Sequence, residues 1–466
     1  MHSPQKADYM DHESIPRLMA RFAAPALVGM FANALYNIVD RIFVGQIVGP
    51  QGIAAIAVSF PCMIFFFCVA TLIGTGAASR VSILMGEKKI AQAERTLGNS
   101  LTLALVSGIL LTAFAWAYFP KILALSGASE TLYPMAAEYL SHIIYGIILW
   151  IIGFSLSYQI RACGSPAYAM GTQVVGAVSN IMLDALFVMK FGMGVRGAAI
   201  ATVISQGISL VWVLAYFRLP KAALRLRPRF MIRMEPAAIA RIFSVGIPAS
   251  LVQLNFVFVH GMITNASNTY GGDLAVSATG IIMGLDSLLF MPAVAMGEAC
   301  TPIIGYNYGA RRMDRVIAAV KNGIAVTTAF YLLSFGTIMF FAEHMVTLFN
   351  SDDAALIALA ARCMRYANVG IPVMSVSIIC TSLLQGLGKG REGMILSAAR
   401  FGIFLWTPLL ILPRFYGILG VWGSFPISDV GGTIISALVM AKIIKNLRKG
   451  TEMGRNESAP FRANDI

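Results

Sequence analysis

Long apolar stretches, separated by short polar segments, run through almost the whole chain. A helix needs about 20 apolar residues to cross a bilayer, and on that scale the pattern predicts twelve membrane-spanning helices. Proline and glycine inside the stretches do not exclude helix, because neighbouring elements satisfy the freed backbone groups in lipid. The pattern therefore predicts an all-α integral membrane protein with spans at 21–45, 53–79, 96–118, 134–157, 166–189, 196–217, 239–265, 275–301, 318–341, 362–384, 392–413 and 417–443.

The composition agrees with a chain whose main solvent is lipid. Hydrophobic residues make up 58% of the 466 residues and charged residues only 12%, whereas a soluble protein carries about 25% charge. The polar N-terminal stretch lacks the short apolar core of a signal peptide, so we expect the first apolar run to remain as a span. The six cysteines form no C-x-x-C pair, which favours buried thiols over disulfides or a zinc site. We expect no cofactor.

The positive charges predict the orientation in the membrane. Of the 35 Lys and Arg residues, 28 fall on the side of the two termini and 7 on the other side. Because cytoplasmic loops carry the excess of Lys and Arg, both termini are expected in the cytoplasm. The acidic loop around Asp352 and Asp353 then faces outward. The basic segment between spans 6 and 7 is expected to lie beside anionic lipid, and nucleic-acid binding is not expected.

The two halves of the sequence repeat each other with an offset of 223 residues. This offset aligns Pro25 with Pro248, Gly74 with Gly297 and the segment 194–205 with 417–428. Two parallel six-helix lobes, related by a pseudo-twofold axis along the membrane normal, are a transporter architecture with the substrate bound between them. The predicted organisation is an N-terminal tail 1–20, an N-lobe 21–217, a linker 218–238, a C-lobe 239–443 and a C-terminal tail 444–466.

Several polar residues lie inside the predicted spans of the N-lobe. Asn33, Asn37 and Asp40 share one face of span 1, and Asn180 and Asp184 share one face of span 5. Counted along the helices, Asp40 lies about 28 Å and Asp184 about 27 Å from the cytoplasmic start, and Thr202 of span 6 lies about 9 Å from the outer end. All three therefore fall in the outer third of the membrane.

Two carboxylates, an amide and a hydroxyl at one depth suit a hard cation such as Na⁺. Two carboxylates this close also resist joint ionisation, so a proton is expected there when no cation is bound. The predicted cation or proton site comprises Asp40, Asn180, Asp184 and Thr202. A structural cluster that holds three helices together is the alternative.

The second half of the chain does not repeat this set. Its aligned residues are Ile263, Ile403, Thr407 and Phe425, so the scaffold is kept and the ligands are absent. The C-lobe has charged residues of its own within the spans. Asp286, Arg400 and Asp429 are predicted near mid-membrane, as a structural cluster with the Arg between two carboxylates. Glu298 is predicted near the cytoplasmic end and His260 at a helix–helix contact.

The quoted segments resemble the multidrug and toxic compound extrusion (MATE) family, and within it the prokaryotic DinF-like branch. The resemblance covers nearly all spans and rests on "APALVGMFANALYNIVDRIFVG", "GEKKIAQAERTLGNS", "NIMLD" and "GVRGAAIATVIS". It implies a cation site formed by the span-1 Asp, the span-5 Asn and Asp and the span-6 Thr, and it associates Pro25 with bending of span 1. Asn33, Tyr36 and Asn37 are further candidates to support the site or line a substrate cavity.

The resemblance implies export of small organic, often cationic, compounds in exchange for inward Na⁺ or H⁺. A C-lobe ion site is not expected, because spans 7 and 10 lack the carboxylates of the NorM-type pattern. A flippase for lipid-linked precursors is the alternative within the same superfamily, and a membrane-embedded enzyme is a distant one, because the sequence contains no H-E-x-x-H or nucleotide-binding motif. We expect a monomer.

Overall fold

The computed structural model describes residues 9–126, 128–349 and 353–456, and it is helical throughout, with no β-strand among these residues. Asp352, part of the predicted acidic loop, lies outside the described residues, as do the ends of both predicted tails. Asp353 is the N-cap of the following helix, where its carboxylate accepts hydrogen bonds from the backbone N–H groups of Ala355 and Leu356, each at 3.0 Å.

The first six long helices overlap the predicted spans, with ends that differ from the predicted ones by up to seven residues. The fifth of them continues without a break into a π-helical segment, Ala185–Lys190, which widens the helix immediately after Asp184. The six helices are α1 (Ile15–Ile47), α2 (Pro50–Gly86), α3 (Ile90–Ala117), α4 (Tyr133–Ala162), α5 (Pro166–Asp184) and α6 (Gly194–Tyr216).

The second half begins with one continuous helical stretch, Pro236–Gly309, which holds two spans. Gly272 divides it at φ 63° and ψ −161° into α7 (236–271) and α8 (273–309). The remaining helices are α9 (Met313–Thr347), α10 (Ala354–Ala367 and Ser375–Gly386, joined through a 3₁₀ turn at Ile371–Val373), α11 (Gly390–Ala398, continued by the π-helical Ala399–Trp406 and by Thr407–Ile411) and α12 (Ile418–Asn456).

Within the described ranges, eleven helical stretches are long and apolar enough to cross a membrane, and the stretch Pro236–Gly309 counts once among them. The prediction of an all-α membrane protein with twelve spans is confirmed. Four short helices connect or precede the spans: Tyr9–His12, Phe119–Leu125, Pro228–Ile232 and Pro413–Tyr416.

The described chain forms two compact units whose bounds differ from the predicted lobes. The N-terminal unit contains the described residues up to His12 and Ala24–Leu254, and the C-terminal unit contains Glu13–Ala23 and the described residues from Asn255 onward. The first part of α7, predicted as C-lobe, therefore packs in the N-terminal unit. Two glycines allow this close packing. Gly76 of α2 has no Cβ where the backbone carbonyl of Ile242 in α7 approaches, and Gly246 of α7 has none where the backbone carbonyl of Leu72 in α2 approaches.

Backbone geometry repeats in the two halves at the offset predicted from the sequence. Lys88 and Arg311, the only described residues other than glycine with positive φ, both have a φ of 58° and are 223 residues apart. Each occupies the turn between the second and third helices of its half. Two glycine pairs with positive φ have the same spacing, at the turns between the first and second helices (Gly49 and Gly272) and between the fifth and sixth (Gly194 and Gly417).

One turn departs from this spacing. Between the fourth and fifth helices of each half, the positive-φ glycines are Gly164 and Gly388, so the offset there is 224. The alignment of α5 with α11 therefore shifts by one residue along the helix. At either offset the positions equivalent to Asn180 and Asp184 carry no carboxylate: they are Ile403 or Phe404, and Thr407 or Pro408.

Candidate functional site

The four residues of the predicted ion site are all buried in the N-terminal unit. Asp40 and Thr202 are each 7% exposed, Asn180 is 1% exposed and Asp184 is fully buried. The side-chain amide of Asn180 donates a hydrogen bond to Thr202 Oγ1 at 3.4 Å, and Asp40 and Asp184 are close enough to interact electrostatically. Helices α1, α5 and α6 thus bring polar groups into one neighbourhood.

Most oxygen atoms of this cluster have no hydrogen-bond donor facing them. Asp40 Oδ1, Asn180 Oδ1 and both carboxylate oxygens of Asp184 are buried without a partner among the described residues. Among the described residues, no Lys or Arg forms an ion pair with either carboxylate, and Arg41 interacts with Asp40 only electrostatically. An unpaired buried carboxylate is costly in a low-dielectric environment, and a bound cation or proton would lower that cost.

Two tyrosines accompany the carboxylates. Tyr36 on α1 and Tyr139 on α4 both lie near Asp40 and Asp184. Tyr139 is only 3% exposed and packs among Val44, Val188 and other apolar residues. The sequence analysis missed Tyr139, because a tyrosine in a predicted span is indistinguishable from the interfacial tyrosines that membrane proteins carry.

A cavity of about 130 Å³ lies beside this cluster within the N-terminal unit. Asn33, Tyr36 and Thr202 belong to its wall, so Thr202 is shared between the cavity and the polar cluster. Asn37 does not line the cavity; its amide donates to the backbone carbonyl of Asn33 at 2.8 Å and to Asn33 Oδ1 at 3.2 Å. Pro25 does not line it either and lies within the continuous helix α1.

The cavity combines aromatic and polar walls. The ring of Phe67 is stacked on Trp150, with centroids 5.9 Å apart, and makes an edge contact with Phe154 at 5.0 Å. The polar part of the wall includes Gln173, Ser205, Gln206 and Ser209. Flat apolar surfaces with a few polar groups suit organic molecules that contain aromatic rings. The sequence analysis did not identify these aromatic residues.

Two polar contacts involve the charged residues of the C-terminal unit. Asp286 Oδ1 accepts a hydrogen bond from the amide of Asn368 at 3.1 Å. Arg400 Nη2 lies 3.7 Å from Asp429 Oδ1. Asp286 and Asp429 also interact electrostatically, so the arrangement with the Arg between two carboxylates stays a prediction. Asn368 is a polar partner of Asp286 that the sequence analysis missed.

Two further predictions concerned His260 and Glu298. His260 is exposed, and its ring lies 6.2 Å from that of Phe256 on the same helix. A Cβ added to the neighbouring Gly261 would meet nothing within 4 Å, and the exposure of His260 does not support the predicted helix–helix contact. Glu298 is half-buried in α8.

Twelve apolar helices from a duplicated half-chain, with a buried polar cluster beside an aromatic cavity, define a multi-pass membrane transporter. The MatE family model matches residues 25–186 and 248–407. The chain therefore belongs to the MatE family, whose members are transporters and not enzymes, as the sequence resemblance indicated. The two matched segments begin 223 residues apart, which confirms the internal repeat.

Curated relatives and solved structures agree with this assignment. The chain is 25% identical to the multidrug export protein MepA of Staphylococcus aureus (strain MRSA252) over 423 residues, which are 90% of this chain and 92% of MepA. It is 26% identical to the multidrug export protein MepA of Staphylococcus saprophyticus over 445 residues, 94% of this chain and 96% of the relative.

Two of the similar solved structures show the same fold. One is a multidrug resistance MATE family transporter of the MOP superfamily in an outward-facing conformation, with a TM-score of 0.89, 24% identity and coverage of 96% of this chain and 99% of that one. The other is a MATE protein in a bent conformation, with a TM-score of 0.90, 23% identity and coverage of 96% and 98%.

Proposed function

We propose that this chain is a secondary active antiporter that exports organic, often cationic, compounds in exchange for inward Na⁺ or H⁺. The observation that carries the proposal is the group of buried, unpartnered oxygens of Asp40, Asn180 and Asp184, next to a cavity that shares Thr202 with them. The printed names of the curated relatives, multidrug export proteins, support a small organic substrate.

The coupling ion is the partner that these oxygens lack. A Na⁺-like cation takes oxygen ligands from Asp40, Asn180, Asp184 and Thr202, while a proton competes for the same two carboxylates. Inward movement of one positive charge is worth about 2.3 kcal/mol per 100 mV of membrane potential. For a neutral substrate exchanged for one cation, that energy sustains an opposing gradient of about fiftyfold. For a monovalent cationic substrate the exchange moves no net charge, so the concentration gradient of the coupling ion supplies the energy.

Thr202 couples ion binding to substrate binding, because it belongs to both sites. Its hydroxyl faces Asn180 in the ion cluster, and the residue also forms part of the cavity wall. When the hydroxyl turns toward a bound cation, the polar groups that the cavity presents to a substrate change. Alternating access then follows from rocking of the two six-helix lobes.

The proposed orientation places both termini in the cytoplasm, in the bacterial inner membrane. The split of 28 basic residues against 7 supports it. The protein acts as a monomer in this proposal, because both the ion cluster and the cavity are built from the N-terminal unit of one chain.

Transport by purified protein in liposomes tests the proposal. We expect an inward Na⁺ or H⁺ gradient to drive substrate movement by the wild-type protein, and Asp40→Asn to abolish both ion binding and ion-driven transport in a folded protein. Asp273→Asn is the matched control, because Asp273 is an exposed carboxylate outside the cavity and the cluster. Full ion binding and full transport by Asp40→Asn would overturn the assignment of the ion site.

A further inference from the structure

The basic linker between α6 and α7 is docked on the N-terminal end of α3. The fully buried amide of Asn99, oriented to satisfy its neighbours, donates to the backbone carbonyls of Phe230 at 2.9 Å and Arg233 at 3.1 Å, and its oxygen accepts from the backbone N–H of Glu235 at 3.1 Å. Thr102 Oγ1 donates to the Met231 carbonyl at 2.8 Å. The linker therefore has a fixed backbone conformation against α3.

Ion pairs reinforce this docking. The buried carboxylate of Glu94 pairs with Arg227 Nε at 2.6 Å and also accepts a hydrogen bond from the backbone N–H of Arg225 at 3.2 Å. Gly98 leaves the space that the Phe230 backbone occupies, because a Cβ there would lie 2.9 Å from it. The side chains that the linker presents outward are thus held in place by a built interface.

Beside this interface lies a second cavity, of about 870 Å³. Arg95, Arg229 and Arg233 line it together with a single carboxylate, Glu235. Glu235 pairs with Arg95 at 3.1 Å, while neither Arg229 nor Arg233 has an acidic partner within the described ranges. The guanidinium of Arg229 lies over the Phe230 ring, 4.6 Å from its centroid. The cavity therefore carries an excess of two positive charges.

Apolar side chains border these charges. Ile232 is 83% exposed and Met234 is 39% exposed, and both line the same cavity. The linker leaves α6 at Tyr216 and enters α7 at Pro236, so its two ends coincide with the ends of two membrane-spanning helices. At the ends of membrane-spanning helices, lipid headgroups meet acyl chains. Arginines without acidic partners suit the headgroups there, and an exposed isoleucine suits the acyl chains.

We infer that this cavity binds the phosphate-bearing headgroup of an anionic phospholipid. Arg229 and Arg233 bind the phosphate, and Ile232 and Met234 contact the acyl chains. A soluble phosphate compound has the charge to meet the arginines but no apolar part for Ile232. This lipid site goes beyond the proposed transport function and does not depend on it, because lipid binding is measured without any ion gradient or exported substrate.

Native mass spectrometry of the purified full chain, titrated with dioleoylphosphatidylglycerol and separately with dioleoylphosphatidylcholine, tests the inference. We expect the double variant Arg229→Gln, Arg233→Gln to weaken the tightest phosphatidylglycerol binding by about thirtyfold. Each basic residue near the membrane surface contributes about fivefold to the affinity for an anionic lipid. Phosphatidylcholine binding stays unchanged. The matched control is Lys442→Gln with Lys445→Gln, which removes two exposed charges outside the cavity and leaves the tightest phosphatidylglycerol binding unchanged.

Two further measurements separate the sources of the phosphate. Ile232→Ser weakens phosphatidylglycerol binding in the same titration, and millimolar inorganic phosphate does not displace the bound lipid. Wild-type phosphatidylglycerol affinity in the double arginine variant would overturn the inference. So would an equal loss in the lysine control, or displacement of the lipid by inorganic phosphate. Arg229→Gln alone gives the same comparison if the double variant does not fold.

Discussion

Asn180 on α5 and Thr202 on α6 are joined by a hydrogen bond of 3.4 Å from the amide of the first to the hydroxyl of the second. The bond uses the nitrogen of Asn180 and leaves its oxygen buried without a partner. The two neutral side chains thereby hold an acceptor in position near two carboxylates. Their role in ion binding should differ from that of Asp40 and Asp184, which supply the negative charge.

The first prediction concerns this difference. Asn180→Ala and Thr202→Ala each remove one neutral ligand. We expect ion affinity to fall by about tenfold in each, because losing one neutral ligand costs about 1.4 kcal/mol of binding free energy. Asp184→Asn removes a charge and should abolish binding, as Asp40→Asn does. Isotopic ²²Na⁺ binding and pH-dependent binding on purified variants measure both effects. The positions in the other half, Ile403→Ala and Thr407→Ala, should leave ion binding unchanged.

The aromatic wall of the 130 Å³ cavity gives a prediction about substrate alone. Trp150→Ala removes the ring stacked on Phe67. We expect substrate affinity to fall by about fivefold to tenfold, because one ring–ring contact between the wall and an aromatic substrate is worth about 1 kcal/mol beyond its buried area. Ion binding should be retained. Trp116→Ala, at an exposed tryptophan of α3 outside the cavity wall, is the control. Equal substrate affinities in the two variants would remove this cavity from the substrate path.

The Arg400–Asp429 contact in the C-terminal unit predicts a change in stability. Their side chains are 16% and 10% exposed, and removing one partner of a buried pair costs about 3 kcal/mol because the other charge stays unpaired. We expect Arg400→Gln and Asp429→Asn to lower thermal stability clearly, and the double variant to recover part of the loss. Asp286→Asn should cost less, because the Asn368 amide can still donate to the new carbonyl. Thermal unfolding of purified protein compares them.

Transport assays on the same variants distinguish a structural role from a role in the transport cycle. A single variant with wild-type thermal stability and no transport would show that these charges take part in the cycle. The structure offers Asn368 as an additional probe, since Asn368→Ala breaks the contact with Asp286 without changing any charge.

Gly272 supplies a prediction about backbone conformation. Its φ of 63° and ψ of −161° fall in a region that only glycine adopts readily, and a Cβ added there would meet nothing within 4 Å. Gly272→Ala should therefore destabilise the protein by about 1–3 kcal/mol through the backbone alone. Gly280→Ala is the matched control, because Gly280 also has open space around it but lies inside the helix. The control should be neutral or stabilising, and an equal loss in both variants would rule out the backbone explanation.

Orientation is tested by labelling from outside intact cells. In a cysteine-free background, Lys221→Cys in the linker should stay unlabelled by a membrane-impermeant maleimide, and Thr131→Cys in the loop before α4 should be labelled. Both positions are exposed, so the difference reports sidedness rather than burial. The opposite labelling pattern would reverse the orientation deduced from the basic residues.

The sequence was sufficient for the spans because the apolar stretches needed to cross a membrane are long and leave few alternatives. It also identified Asp40 and Asp184, since a carboxylate in an apolar stretch stands out. It did not identify Tyr139, Trp150 or Phe67, because aromatic residues look alike in sequence whether they face lipid, a neighbouring helix or a cavity. Which side they face depends on the rotation of each helix, and packing sets that rotation.

The C-terminal unit shows a second limit of the sequence. Depth counted along ideal helices placed Asp286, Arg400 and Asp429 at one level and predicted a single charge cluster. The break in α10 and the π-helical segment of α11 interrupt ideal helix geometry, and the sequence did not predict the contact of Asn368 with Asp286 next to the first of them. Neither break has a reliable signal in one sequence, because proline and glycine also occur inside unbroken membrane helices such as α1.

The matching turns at Lys88 and Arg311 bear on the history of the chain. A left-handed conformation at a residue other than glycine is unfavourable by about 1–2 kcal/mol, yet both halves keep it at the same place, 223 residues apart. The carboxylates of one half have no counterpart in the other. After an ancestral duplication, then, selection preserved the path of the backbone in both copies, while the chemistry of the side chains diverged. Of the two descendants, only the first retained, or acquired, the carboxylates beside Thr202.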